Sequence, residues 1–323
     1  MAEPLNATFF TLKSRPRAVL LPATLATMAL VGLIVAAFAA LNWGTLSSIP
    51  QLILSAPEGG DEEIAMRLMG GIFMLVGSAL LLLFPLYLAL AAYEAACLRW
   101  MIRGEAPGLF GLALDADTWR VYGVYWCWFL AHLTLSFGFG ILMIPIMLMS
   151  FGSIAMDPSA DPAALAQYQL TIQLPFTLLQ YLVLIFLGVR FSPAAATSVA
   201  RRRFSFFEAW TVTRGRFWAL LGAWVLLWLI FLAVYSIVGA FTFGAVFAQL
   251  WPLMLENFNK PGGDHGAEVA AILLAPGMWT TIGLGYLALI LVGLGYALMS
   301  FGVNARAALL ALEEGKIEQA TAD

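Results

Sequence analysis

The chain has 323 residues, 62% of them hydrophobic and 11% charged, with a net charge of −3 and a mean hydropathy of +0.89. That composition leaves too little polar surface for a soluble domain, and no interval between the apolar stretches is long enough to fold as one. There is no basic excess of the kind nucleic acid requires.

Six stretches contain no Asp, Glu, Lys or Arg: 18–57, 68–93, 121–156, 162–189, 217–255 and 269–305. A hydrocarbon layer of roughly 30 Å takes about 20 apolar residues in a helix, so each stretch holds one span. The fold class expected is all-α, a polytopic bundle of six transmembrane helices forming one membrane domain over 1–323.

Span one is predicted over about 18–41. Lys13, Arg15 and Arg17 precede it and the small residues Ala37 to Ala40 close it, a pattern superficially like a cleavable signal. The apolar run is longer than the usual core of about 7–15 residues, which predicts an uncleaved anchor. An acidic connection follows, with Glu58, Asp61, Glu62 and Glu63. Span two is predicted over about 68–93, continuing helically to Trp100. In the next connection, Asp115 and Asp117 are both placed to cap the following helix. Span three covers about 121–149 and opens on Tyr122, Tyr125, Trp126 and Trp128, an aromatic belt. Span four is predicted over about 168–189.

Between spans four and five, Ser205 and Glu208 have capping-box spacing, and Phe206, Phe207 and Trp210 follow within one and a half helical turns. This predicts a short amphipathic helix lying in the interface. Phe206, Phe207 and Trp210 would be its lipid anchors, while Arg190, Arg201, Arg202, Arg203, Arg214 and Arg216 would meet lipid head groups. Spans five and six are predicted over about 218–241 and 278–301, and the apolar piece 242–256 with Pro252 is read as re-entrant or interfacial. Gly283, Gly285, Gly293 and Gly295 predict close packing of span six.

Of the 16 Lys and Arg, all but Arg67 and Lys260 lie in the tails and in the connections before spans three and five. The positive-inside rule then places both termini and those two connections in the cytoplasm, in a bacterial inner membrane. Cys97 and Cys127 fall near that face, where disulfides rarely persist, and are read as packing residues.

The run Arg190-Phe191-Ser192-Pro193-Ala194 is followed by Glu208-Ala209-Trp210, Thr213-Arg214-Gly215-Arg216-Phe217-Trp218 and Leu220-Leu221-Gly222. This segment resembles the six-span domain that some bacterial glycerophosphodiester phosphodiesterases carry ahead of their catalytic barrel, and its stand-alone inner-membrane relatives. Pro107-Gly108, Asp115, Asp117 and Arg120 extend the likeness more loosely. The barrel and its metal site are missing, so the resemblance implies a membrane module without phosphodiesterase activity.

Polar side chains within spans are costly without partners and therefore mark candidate sites. Tyr125, His132 and Ser136 share a face of span three; Gln169, Gln173, Thr177 and Gln180 share a face of span four. His132 and Gln180 lie at nearly the same depth and are expected to pair. The two faces form either interhelical hydrogen bonds or a solvated relay, and the lack of an embedded carboxylate favours the bonds. Glu94 and Arg190 are read as an ion pair at the membrane boundary. No hydrolase, metalloprotease or phosphate-loop motif is present, and no cofactor or metal is expected.

The function expected is non-enzymatic, acting on or with membrane lipid, anionic phospholipid at the cytoplasmic face in particular. A second copy or another membrane protein is a further partner class. The alternative is a small-solute transporter or channel with its path between spans three and four, followed by a lipid-modifying enzyme.

Overall fold

The computed structural model describes residues 7–13, 19–54, 62–156, 171, 173–259 and 275–318. The expected start of span four at Tyr168 and Gln169, the outer acidic residues Glu58, Asp61, Asp157, Asp161, Asp264 and Glu268, and Arg15, Arg17 and His265 lie outside them. The helices are α1 (Phe10–Lys13), α2 (Leu20–Leu41), α3 (Trp43–Leu54), α4 (Glu62–Arg103), α5 (Ala116–Met156), α6 (Leu174–Phe191), α7 (Ala194–Ala200), α8 (Ala209–Thr213), α9 (Phe217–Asn259) and α10 (Pro276–Glu313). Strands are absent among the described residues. Six helices, α2, α4, α5, α6, α9 and α10, carry segments long and apolar enough to cross a membrane.

Four of these exceed a single crossing. With 42, 41, 43 and 38 residues, α4, α5, α9 and α10 reach about 57–65 Å at 1.5 Å per residue, roughly twice the hydrocarbon thickness. The stretch 242–256 is accordingly not re-entrant: it is continuous α9, with Pro252 inside the helix. Pro85 and Pro145 are likewise carried inside α4 and α5, whereas Pro175 sits in the first turn of α6, where its missing N–H costs nothing. Of the two expected caps for α5, Asp115 serves, its Oδ1 accepting the Thr118 N–H at 3.1 Å. Asn42 ends α2: its amide donates to the Phe38 carbonyl at 2.9 Å and its Oδ1 accepts the Ser78 hydroxyl at 3.0 Å.

The hydrophobic core gathers at one end of the bundle, the end that holds the basic connections. Ala91, Ala95 and Leu98 of α4, Val121 and Val124 of α5, and Ala305 and Ala308 of α10 meet there around α7. All seven residues of α7 are buried. Its Ala-Ala-Ala-Thr-Ser-Val-Ala sequence lets three long helices approach its backbone closely. The Thr197 and Ser198 hydroxyls return to the carbonyls of Pro193 and Ala194, both at 2.8 Å, so the wedge brings no unpaired donor. Elsewhere the spans are sparsely covered by protein, between 0% and 17% buried over their most apolar windows, and their flanks are left for lipid.

Close approaches between helices need glycine at Gly302 and Gly285. A Cβ at Gly302 would overlap Thr11, whose hydroxyl donates to the Leu298 carbonyl at 3.1 Å and ties α1 to α10. At Gly285 a Cβ would overlap Thr242 on α9, whereas Gly283, Gly293 and Gly295 face open space. Close packing along span six is thus confined to one of the four expected positions.

The short helix between spans four and five is α8, five residues long. Its expected cap does not form. The Ser205 hydroxyl finds no partner, the Ser205 N–H donates to the Ser198 hydroxyl at 3.0 Å, and Glu208 pairs with arginines instead. Phe207 and Trp210 are exposed, at 75% and 40%. Phe206 is not an anchor: it is 6% exposed, stacked on Phe191 at 5.1 Å and edge-on to Trp128 at 6.1 Å. The reason is that α7 turns the chain back into the bundle, so residue 206 emerges on the inner side of the connection.

Candidate functional site: a cavity closed by a buried carboxylate

Most of the basic connection is engaged within the protein. Arg99 is fully buried and reaches Asp115 and the Gly111 carbonyl. Arg103 links Asp117, Glu105 and, at 2.8 Å, the Val199 carbonyl at the end of α7. Asp117 also accepts from Arg120 at 2.6 Å. These pairs fasten the 104–115 connection to the wedge.

The six arginines expected at lipid head groups divide. Arg201 and Arg203 hold Glu208 at 3.1 and 3.4 Å, Arg202 holds Glu105 at 2.8 Å, and Arg216 holds Glu314. The Glu314 carboxyl lies below its ordinary value, first through its hydrogen bond from Lys316 and then through Arg216. Arg190 makes no ion pair with Glu94. Its guanidinium sits over Trp210, Phe217 and Phe186 at 4.8, 5.3 and 5.5 Å, and donates to the Thr213 carbonyl at 3.4 Å. Arg214 stays exposed, its carbonyl accepting from Lys316.

The pairing of His132 with Gln180 is absent. His132 and Ser136 are exposed on α5, lining a shallow hollow of about 340 Å³ with Tyr87 and Trp128; Gln173 on α6 is also exposed, while Thr177 and Gln180 are half-buried there. No hydrogen bond joins the two faces among the described residues. Spans three and four touch only sparsely, through Phe139 edge-on to Phe176 at 5.4 Å and Trp128 edge-on to Phe191 at 6.2 Å, while α5 rests mainly on α4 and α7 and α6 mainly on α8.

What lies between them is a larger cavity of about 730 Å³, walled by α5, α6, α9 and α10 and floored by the start of α7. Trp128, Trp224, Trp228 and Tyr296 give it aromatic walls. Its exposed lining residues Ile185, Val225 and Trp228 are apolar and lie on α6 and α9. Its buried lining includes Glu94 and Asn304, each 5% exposed. The Tyr125 hydroxyl donates to Glu94 Oε2 at 2.6 Å, and Tyr87 packs edge-on against the Tyr125 ring at 5.5 Å. Asn304 Oδ1 and Trp224 Nε1 are buried without a partner. An apolar chamber with a small set of convergent polar groups is the usual form of a small-molecule site.

Glu94 escaped the sequence reading because it was assigned to the boundary. Its neighbours Ala91, Ala92, Ala95 and Ala96 carried the signal: a lone carboxylate among small residues lies where helices approach most closely. Groups of three or more metal-ligating side chains are absent among the described residues. No family model, curated protein or solved structure matches the chain.

Proposed function

We propose that this chain is a non-enzymatic six-span protein of the bacterial inner membrane, with both termini cytoplasmic, that holds a membrane lipid or similar amphiphile in the cavity between spans three, four, five and six. The observation that carries the reading is a chamber of about 730 Å³ with apolar residues at its exposed lining and a carboxyl at its buried end. An elongated apolar molecule with a polar head matches that division. Phe207, Trp210 and Trp218, all exposed, supply the interfacial anchors, and Arg214 is the basic residue best placed for an anionic head group nearby. The likeness to the membrane domain of the phosphodiesterases belongs to the same proposal. The polar faces of spans three and four, on which the transporter alternative rests, share no hydrogen bond among the described residues, and the larger cavity is lined mainly by apolar side chains, which supports the amphiphile reading.

Gly188 tests the reading. It lines the cavity, and a Cβ there meets nothing within 4 Å. Gly188→Leu should therefore project into the chamber and narrow it without disturbing the helix. Native mass spectrometry of protein extracted in a mild detergent should show bound lipid lost from this variant with its melting temperature held or raised. Equal retention of lipid in both proteins contradicts the reading. Orientation is tested separately: a reporter active only in the periplasm should work after Glu63 and be silent after Arg203.

A further inference from the structure

Resting on the cavity as an amphiphile site, we infer that its ligand is a cationic amphiphile: an ammonium on an apolar body, its N–H groups shared between Glu94 and Asn304. An ionised carboxylate offers about four acceptor positions, and Glu94 receives one donor, the Tyr125 hydroxyl. Among the described residues, no Lys, Arg or His lines the chamber. The basic residues that follow on the same helix, Arg99 and Arg103, are committed to Asp115, Asp117 and Glu105. A carboxylate without a counter-charge in an apolar surrounding is costly, and the cavity leaves room for a cation that the protein itself does not supply.

Asn304 points the same way. Its Oδ1 is a second buried acceptor without a donor, one turn of α10 beyond Ser300, whose hydroxyl is spent on the Tyr296 carbonyl at 2.8 Å. A primary ammonium brings three N–H donors and one positive charge, enough to serve both acceptors. The aromatic faces of Trp128 and Tyr296 add favourable surroundings for a cation. Trp224 Nε1, a buried donor without a partner, is available to an ether or hydroxyl oxygen beside the ammonium. A phosphate or sulfate head would meet Glu94 and Asn304 with no basic residue in the lining, which sets the class apart from ordinary anionic phospholipid.

The probe is dodecylammonium brominated at its chain end, compared with the matching alcohol and sulfate. Protein in phosphatidylcholine nanodiscs is titrated with each, and saturable quenching of tryptophan fluorescence is read, since Trp128, Trp224 and Trp228 all line the chamber. The ammonium should bind at least about tenfold more tightly than the alcohol, as expected when a charge-assisted pair forms in a desolvated site. The sulfate should not saturate. Glu94→Gln should bring the ammonium down to the level of the alcohol, Asn304→Ala should weaken the ammonium alone, and Gly188→Leu should weaken both. If Glu94→Gln does not fold, Asn304→Ala with the three-probe comparison on the native chain decides. Equal binding of all three probes, blocked by Gly188→Leu, overturns the charge selectivity and leaves the cavity reading standing. Absence of saturable quenching by any probe, or quenching indifferent to Gly188→Leu, overturns both.

Discussion

Phe206 and Phe207 are adjacent and chemically identical, yet the fold gives them opposite roles, and replacing each by alanine separates those roles. Phe206 is 6% exposed and packs on Phe191 and Trp128, with stacked and edge-on geometry at 5.1 and 6.1 Å. Core Phe→Ala changes cost about 3–5 kcal/mol. Part of that range reflects transfer to water, and segments of a membrane protein stay largely within the bilayer when their packing is lost, so the lower end, about 3 kcal/mol, applies here. At 1.4 kcal/mol per factor of ten, Phe206→Ala should raise the unfolding equilibrium constant by roughly 150-fold. Phe207 is 75% exposed and has an edge contact with Phe206 at 5.4 Å and with Phe191 at 6.3 Å, so Phe207→Ala should cost at most about 1 kcal/mol. Unfolding in mixed micelles of increasing SDS fraction, followed by circular dichroism, measures both. Equal destabilisation, or a larger loss at Phe207, would refute the inward turn of the connection at α7.

Tyr125→Phe should destabilise the bundle by about 1–3 kcal/mol by stripping Glu94 of its donor, and Glu94→Gln in that background should recover part of the loss; a double-mutant cycle with no coupling would contradict the bond. Arg103→Met should cost about 1–3 kcal/mol, because it frees the buried Val199 carbonyl and takes one of two arginines from Asp117, Arg120 remaining. By contrast Arg203→Gln should stay within about 1 kcal/mol in the same SDS titration, since that side chain is 56% exposed and Arg201 keeps Glu208. Glu314 has a folded value below the ordinary glutamate, so its contribution is complete above the ordinary value and is lost as pH falls through the folded one. The melting difference between the native chain and Lys316→Gln should accordingly vanish on acidification and persist at neutral pH.

The spans were legible because charge is excluded from hydrocarbon: the six charge-free stretches each supply one crossing helix, and even the break after Leu41 falls as expected, at Asn42. The wedge α7 was not. Its seven residues are too few for a hydrophobic period, and their burial comes from α4, α5 and α10, all distant in sequence, packing around them. Once α7 is missed, adjacency of consecutive spans misplaces His132 against Gln180, and the capping spacing of Ser205 and Glu208 reads as a helix start. Local pattern identified the right segment between spans four and five, but ion pairs with Arg201 and Arg203, seven and five residues upstream, took the carboxylate that the cap required. The site was half visible: Tyr125 and Glu94 were legible as polar residues near span ends, while their convergence with Asn304 on one chamber depends on the packing of α4, α5 and α10 around the wedge.

The most direct measurement is an experimental structure of the protein in a lipid nanodisc, solved without added ligand and again with the alkylammonium probe. The account requires elongated density in the chamber between α5, α6, α9 and α10, with its polar end against Glu94 and Asn304. A chamber closed by side-chain packing in both structures, or one whose density ends away from Glu94, contradicts it.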